Sequence, residues 1–262
     1  MRKSVLFMLV LAAVVGLAAT ADGTVPKLKK KPVVVREGNL IVTANGDVFP
    51  VALPEDVAAP ITLVITGDIA TSDGSQPPPL RRVVVETAKD GYVNADGLPS
   101  CSLRRLTARG TGAAEAACPQ AIVGRGHVIV QVAFPESRPF LARGEVVAFN
   151  GGVKNNVTTL LIHSYVAVPS PTAVITTVKM KRIHNGPYGL RSVATIPEIA
   201  GGYGSLTGFD LVLHRLFRAH GKSRSYLSGK CTHDSLLAKM RDVFGDGTEI
   251  AGTLVRPCKV RR

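Results

Sequence analysis

The sequence predicts an all-β fold, mainly antiparallel, arranged as a β-sandwich or a barrel-like sheet. Three observations carry this. Short runs of β-branched and apolar residues recur from residue 33 onward, bounded by Gly, Pro, Asn and Asp as strands are. Several runs alternate with period two, which puts side chains on one face of a strand. Helical spacing surfaces in at most one short stretch, 234–243.

Residues 1–21 read as a cleavable export signal. Arg2 and Lys3 give a positive start, about fifteen almost wholly apolar residues follow at 5–19, and Ala19-Thr20-Ala21 forms a small-x-small pattern before Asp22. A membrane anchor needs roughly 20 apolar residues to cross about 30 Å of hydrocarbon, and no later stretch has that length. The first cysteine is Cys101, so no lipid-modified cysteine is expected at the cleavage point. Residues 22–32 read as a flexible basic arm carrying Lys27, Lys29, Lys30 and Lys31, like charges that repel one another. Residues 33–262 read as one β-rich domain, with a candidate subdivision in the Ser, Gly and Pro-rich stretch 71–79.

Within that domain the first strands are expected at 33–35, 40–43 and 48–51, with Asn45-Gly46 as a hairpin turn between the last two. Strands follow at 61–66 and 80–87. The middle is irregular, and the Ala-rich stretch 110–118 suggests a single helical turn. Val128, Val130, Val132 and Phe134 then alternate onto one face. Residues 146–149 lead to a turn at Asn150-Gly151-Gly152. Residues 157–168 and 174–183 are β-rich and are followed by a turn at 184–187, a strand at 188–196 and an alternating run at 209–217. Leu236, Leu237, Met240 and Val243 lie near helical spacing after Asp234, although a bulged strand fits them too. Asp246-Gly247 makes a tight turn before a strand at 250–255.

The four cysteines are Cys101, Cys118, Cys231 and Cys258. An even number in an exported chain points to two disulfides. Three pairings are open; Cys101–Cys118 with Cys231–Cys258 is favoured because each closes a local loop. No C-x-x-C occurs, and only Cys231-Thr232-His233 has metal-ligand spacing, so neither a metal nor any other cofactor is expected.

The formal charge is +13, or +11 without Arg2 and Lys3. Such a balance favours anionic surroundings: envelope polymers, phospholipid headgroups or nucleic acid. Aromatic residues are only 5% and Trp is absent. That argues against single-stranded nucleic acid, which is usually held on aromatic platforms.

Several segments carry a family likeness: Leu80-Arg81-Arg82-Val83, Gly97-Leu98-Pro99-Ser100-Cys101, Ala121-Ile122-Val123-Gly124-Arg125-Gly126, Ala148-Phe149-Asn150-Gly151, Arg224-Ser225-Tyr226-Leu227 and Arg256-Pro257-Cys258. Together they resemble a family of secreted β-rich proteins from high-GC Gram-positive bacteria. The resemblance covers about residues 60–262. The family carries no established activity, so the resemblance implies export and β structure and assigns no functional residue.

Two candidate sites remain. Gly201, Gly202, Tyr203, Gly204 and Ser205 form a candidate ligand loop. Its glycines miss the G-x-G-x-x-G and G-x-S-x-G spacings, so a Gly-permitted bend is the competing reading. Lys179 and Lys181 share a strand face and, with Arg182, form a candidate basic surface. No pair of histidines is spaced as metal ligands, and His163 reads as a packed residue with one hydrogen bond. No carboxylate pair stands out for glycoside hydrolysis. Three hypotheses follow. The leading one is a non-catalytic binding or structural protein of the cell envelope, with an anionic or apolar partner such as an envelope polymer or phospholipid. The others are a hydrolase whose site assembles in space and a lipid carrier with an apolar cavity.

Overall fold

The structure is a computed structural model, and it describes residues 28, 30–167 and 171–261. The export signal and most of the basic arm lie outside the described residues. The chain is almost wholly β. Its strands are β1 (Val33–Glu37), β2 (Leu40–Phe49), β3 (Ala52–Leu53), β4 (Ala59–Pro60), β5 (Thr62–Thr71), β6 (Leu80–Ala88) and β7 (Gly91–Val93). Two helices follow, α1 (Leu103–Leu106) and α2 (Thr111–Ala117). Then come β8 (Ile122–Val132), β9 (Phe140–Lys154), β10 (Val157–Val166), β11 (Thr172–Asn185), β12 (Tyr188–Thr195) and β13 (Gly204–Leu213). The last are β14 (Leu216–Ala219), β15 (Lys222–Ser225), β16 (Leu227–Gly229), β17 (Ser235–Phe244), β18 (Glu249–Pro257) and β19 (Lys259–Val260).

Twelve strands form one antiparallel sheet in the order β1-β2-β5-β13-β8-β9-β10-β11-β12-β6-β17-β18. The sheet coils until its two end strands meet. A Cβ on Gly252 of β18 would lie 3.3 Å from Val35 Cγ2 and 3.5 Å from Val33 Cγ1 of β1. Arg256 of β18 crosses the same seam. Its Nε donates to the Gly46 carbonyl at 2.6 Å, its Nη2 donates to the Lys31 carbonyl at 3.2 Å, and it also meets Asn45 Oδ1 and the Asp47 carboxylate. The nearly closed barrel is therefore held at the seam by side chains rather than by a ladder. The Lys30 carbonyl accepts from Asn45 Nδ2 at 3.1 Å, so the described end of the basic arm is tied down.

Alternation along the strands fills the inside. Val128, Val130 and Val132 of β8 join Ala142, Val146 and Ala148 of β9, Leu160 of β10, and Val178 and Met180 of β11 in one buried cluster. Leu53, Leu98, Tyr226, Leu227, Cys231 and Cys258 belong to the same cluster, so the connecting segments 89–121 and 214–234 pack into it. A second cluster joins Leu40, Val42, Ile69, Leu80, Phe244 and Ile250. The segment 72–79, expected as a loop or boundary, joins β5 to β6 within the same sheet.

The disulfides are Cys101–Cys118 and Cys231–Cys258, the favoured pairing. The first ties a helical flap, α1 and α2, against β9 and β10. Leu106, Ala114 and Ala121 pack there on Val147, Phe149 and Leu161.

Four local expectations are corrected. Residues 234–243 are not a helix but β17, hydrogen-bonded between β6 and β18. Asn45-Gly46 is not a turn but the interior of β2, where Gly46 admits the Val64 carbonyl: a Cβ there would lie 3.1 Å from that oxygen. Asn150-Gly151-Gly152 is a bulge inside β9, with Gly152 at φ +86° and a register shift between Thr158 and Leu160 opposite. The run 209–217 is broken after Leu213, and His214 lies between β13 and β14. The flap helix α2 is longer than one turn, and α1 was not expected.

Candidate functional site

The candidate basic surface lies on the wall of the barrel. Val178 and Met180 are buried, so Lys179 and Lys181 of β11 project outward and are exposed. Register extends the patch over three further strands. Lys181 pairs with Arg191, Arg191 with Glu86, and Glu86 with Lys239. One rung along, Lys179 pairs with Val193, Val193 with Val84, and Val84 with Arg241. On the next rung Thr177 pairs with Thr195, Thr195 with Arg82, and Arg82 with Val243. Rungs on one face are ~6.8 Å apart along a strand and neighbouring strands ~4.8 Å apart, so the six cations form one continuous field.

Two carboxylates answer them. Arg191 donates from both Nε (2.8 Å) and Nη2 (2.5 Å) to Oε1 of Glu86, whose side chain is 9% exposed, while Asn185 Nδ2 donates to its Oε2 at 3.2 Å. Arg241 pairs with Glu249 at 2.5 Å. Among the described residues Arg82, Lys179, Lys181 and Lys239 have no ion pair. Arg182, placed in the same surface by sequence, is engaged elsewhere: its Nη1 donates to the Gly91 carbonyl at 2.7 Å and its guanidinium lies 4.9 Å over the Tyr92 ring. Sequence reasoning missed Arg82, Arg191, Lys239 and Arg241, because which strands stand beside β11 is set by long crossovers.

The candidate ligand loop serves the fold. Gly201 and Gly202 take φ +64° and +97°, conformations that glycine adopts without strain. The Tyr203 ring packs 5.4 Å from that of Phe134, and the Tyr203 carbonyl accepts from Ala133 N at 3.0 Å and Gln76 Nε2 at 2.9 Å. Gly204 N closes the bend on the Ile199 carbonyl at 3.0 Å, and Ser205 is buried in β13. The four cysteines are consumed in the disulfides.

On the far side of the ring a depression of about 580 Å³ runs over β5, β13, β8 and β9. Its middle rung pairs Thr66 with Asp210, Asp210 with His127, and His127 with Glu145. His127 Nδ1 lies 3.2 Å from both Asp210 oxygens, which orients the imidazole. Thr66 is the one hydroxyl among the described residues lining this depression, so the pair lacks the serine or cysteine of a nucleophilic triad.

His163 is wholly buried under the flap, with Nε2 2.8 Å from the Arg109 carbonyl and no partner on Nδ1 among the described residues. Burial pulls its pKa below the ordinary histidine value, so it sits there as a neutral packing residue. No family model, no curated protein and no solved structure matches the chain. Among the described residues no helix is long and apolar enough to cross a membrane, and no three His, Cys, Asp or Glu side chains are placed to hold a metal ion.

Proposed function

We propose that the protein is an exported, non-catalytic binding module that holds a linear polyanion of the cell envelope against the wall formed by β11, β12, β6 and β17. One observation carries the reading: Arg82, Lys179, Lys181 and Lys239 stand on adjacent rungs without an ion pair, beside Arg191 and Arg241. Lys179 and Lys181 stand ~6.8 Å apart, within a Debye length of about 8–10 Å. Lys239 and Arg82 extend the same field across neighbouring strands, so a polymer long enough to cross the wall meets all four. The wall of a barrel is convex, so a flexible chain can follow three rungs where a flat bilayer would touch along a line. Two disulfides suit an oxidising, extracytoplasmic setting. The likeness to secreted proteins of high-GC Gram-positive bacteria agrees with that setting and adds no residue to the site. Lipid carriage is disfavoured because buried side chains occupy the inside of the barrel.

The test is binding of inorganic polyphosphate to residues 22–262, followed by fluorescence anisotropy. Binding should weaken steeply with salt. The triple variant Lys179→Gln, Lys181→Gln, Lys239→Gln should lose at least about tenfold in affinity, the equivalent of 1.4 kcal/mol. Lys222→Gln, on β15, should change nothing. Absence of binding, or equal loss in both variants, overturns the proposal.

A further inference from the structure

We infer that the polyanion is an acyclic polyol phosphate, and that its hydroxyls are read in the depression between the helical flap and the barrel wall. This rests on the polyanion reading above and names its ligand class. The depression has a volume of about 470 Å³ and includes Ser100, Ser102, Arg105, Thr159, Leu161 and Thr177 in its lining.

Its position links it to the basic wall. Thr159 is the register partner of Lys179, and Thr177 stands two residues before Lys179 on β11. A polymer lying on Lys179 and Lys181 therefore reaches the depression within one repeat of its backbone. Arg105 adds a cation. Its Nη2 is anchored on the Ala117 carbonyl, and the guanidinium keeps further N–H groups to offer an anion.

The chemistry of the lining selects among polyanions. The hydroxyls of Ser100, Ser102, Thr159 and Thr177 form no hydrogen bond within the protein among the described residues, so four residues whose side chains can both donate and accept line one hollow. Leu161, buried, gives an apolar floor against which C–H groups can lie. Among the described residues no aromatic ring lines it, so the flat face of a sugar ring finds no stacking platform there, whereas the hydroxyls and methylenes of an open-chain polyol match hydroxyls and leucine. Inorganic polyphosphate offers no hydroxyl donor along its backbone.

The hollow is also pre-formed, which limits the ordering cost of binding. The Cys101–Cys118 bond fixes the flap edge. Cys101 N donates to the Asn150 carbonyl at 2.8 Å, and Asn150 Nδ2 donates to the Leu98 and Pro99 carbonyls at 3.2 and 3.1 Å. These contacts fix the backbone around Ser100 and Ser102, which line the depression together with Thr159.

The experiment compares poly(glycerol phosphate) with inorganic polyphosphate of matched charge at one salt concentration, by competition. The polyol polymer should bind about tenfold tighter, the effect of roughly two net hydrogen bonds. Thr159→Val with Thr177→Val should abolish that preference while leaving polyphosphate binding unchanged, which also reports that the variant is folded. If both polymers bind wild type equally, or the preference survives in the double variant, this inference fails while the polyanion reading stands. If neither polymer binds, both fail together.

Discussion

Arg256 and Gly46 belong to strands that share no ladder, and the Arg256 Nε nevertheless donates to the Gly46 carbonyl at 2.6 Å. With Asp47, Asn45 and Lys31 it makes one side chain the clasp of the barrel seam. The Arg256 and Asp47 side chains are 11% and 13% exposed, so breaking the pair leaves a nearly buried carboxylate. Arg256→Ala should destabilise by about 3 kcal/mol, read as a fall in the denaturant midpoint. Arg256→Lys should not restore it, because an ammonium cannot span the same fan of acceptors. A midpoint unchanged in the alanine variant would remove the clasp from the account.

Asp242 gives the protein a pH dependence. It is 3% exposed beside Val83 and Ile250, its Oδ1 has no hydrogen-bond partner among the described residues, and burial raises its pKa from 3.8 to about 7. A carboxyl raised in the folded state favours the neutral form. Its contribution is most favourable below about pH 4 and is lost as pH rises toward 7. A shift of about three pKa units corresponds to ~4 kcal/mol. Denaturant titrations should show wild type losing stability between about pH 4 and pH 7, and Asp242→Asn should flatten that slope. Parallel slopes in the two proteins would show that Asp242 is not responsible.

The two disulfides should separate in their effects. Their loops span 17 and 27 residues, so each restricts the unfolded chain by about 3 to 4 kcal/mol. Replacing Cys101 and Cys118 by Ala should raise amide exchange in α1 and α2 and leave the barrel strands protected. Replacing Cys231 and Cys258 should raise exchange in β3 and β19 instead, since Cys231 N donates to the Pro54 carbonyl and Lys259 N to that of Val51. Identical exchange maps would count against this division.

Gly126 has no room for a side chain. A Cβ there would lie 1.9 Å from the Asp210 carbonyl oxygen. Gly126→Ala must force β8 and β13 apart, and we expect a loss of at least ~3 kcal/mol. Gly112→Ala, with nothing within 4 Å of the added Cβ, is the control and should fold normally.

His127→Ala should leave polyanion binding unchanged. The His127 side chain is 66% exposed and its pair with Asp210 stands on the far wall, where an exposed ion pair contributes at most about 1 kcal/mol. Loss of binding in this variant would move the site to that face.

Much of the architecture was legible in local sequence. The alternation at Val128, Val130 and Val132 gave the inner face of β8, and short loops gave both disulfide pairs. What escaped was set by non-local contacts. In β17 Asp242 points inward and Val243 outward, against polarity, so the period-two signal was broken and the leucines read as helix. Asn45-Gly46 and Asn150-Gly151-Gly152 have turn chemistry but serve coiling and a bulge, because a closed sheet needs small residues inside long strands. Of the basic wall only Lys179 and Lys181 were visible. Arg191, Lys239, Arg241 and Arg82 join them through the pairing of β12, β6 and β17, which no local pattern encodes.

The seam also dictates an order of events. β1 and β18, which meet there, are separated by most of the chain, so the barrel stays open along one side until Arg256 has been synthesised and can reach Gly46. Such late, long-range closure makes for slow folding. Until then the edges of β1 and β18 stand unprotected, and the incomplete barrel is the species most exposed to aggregation and proteolysis.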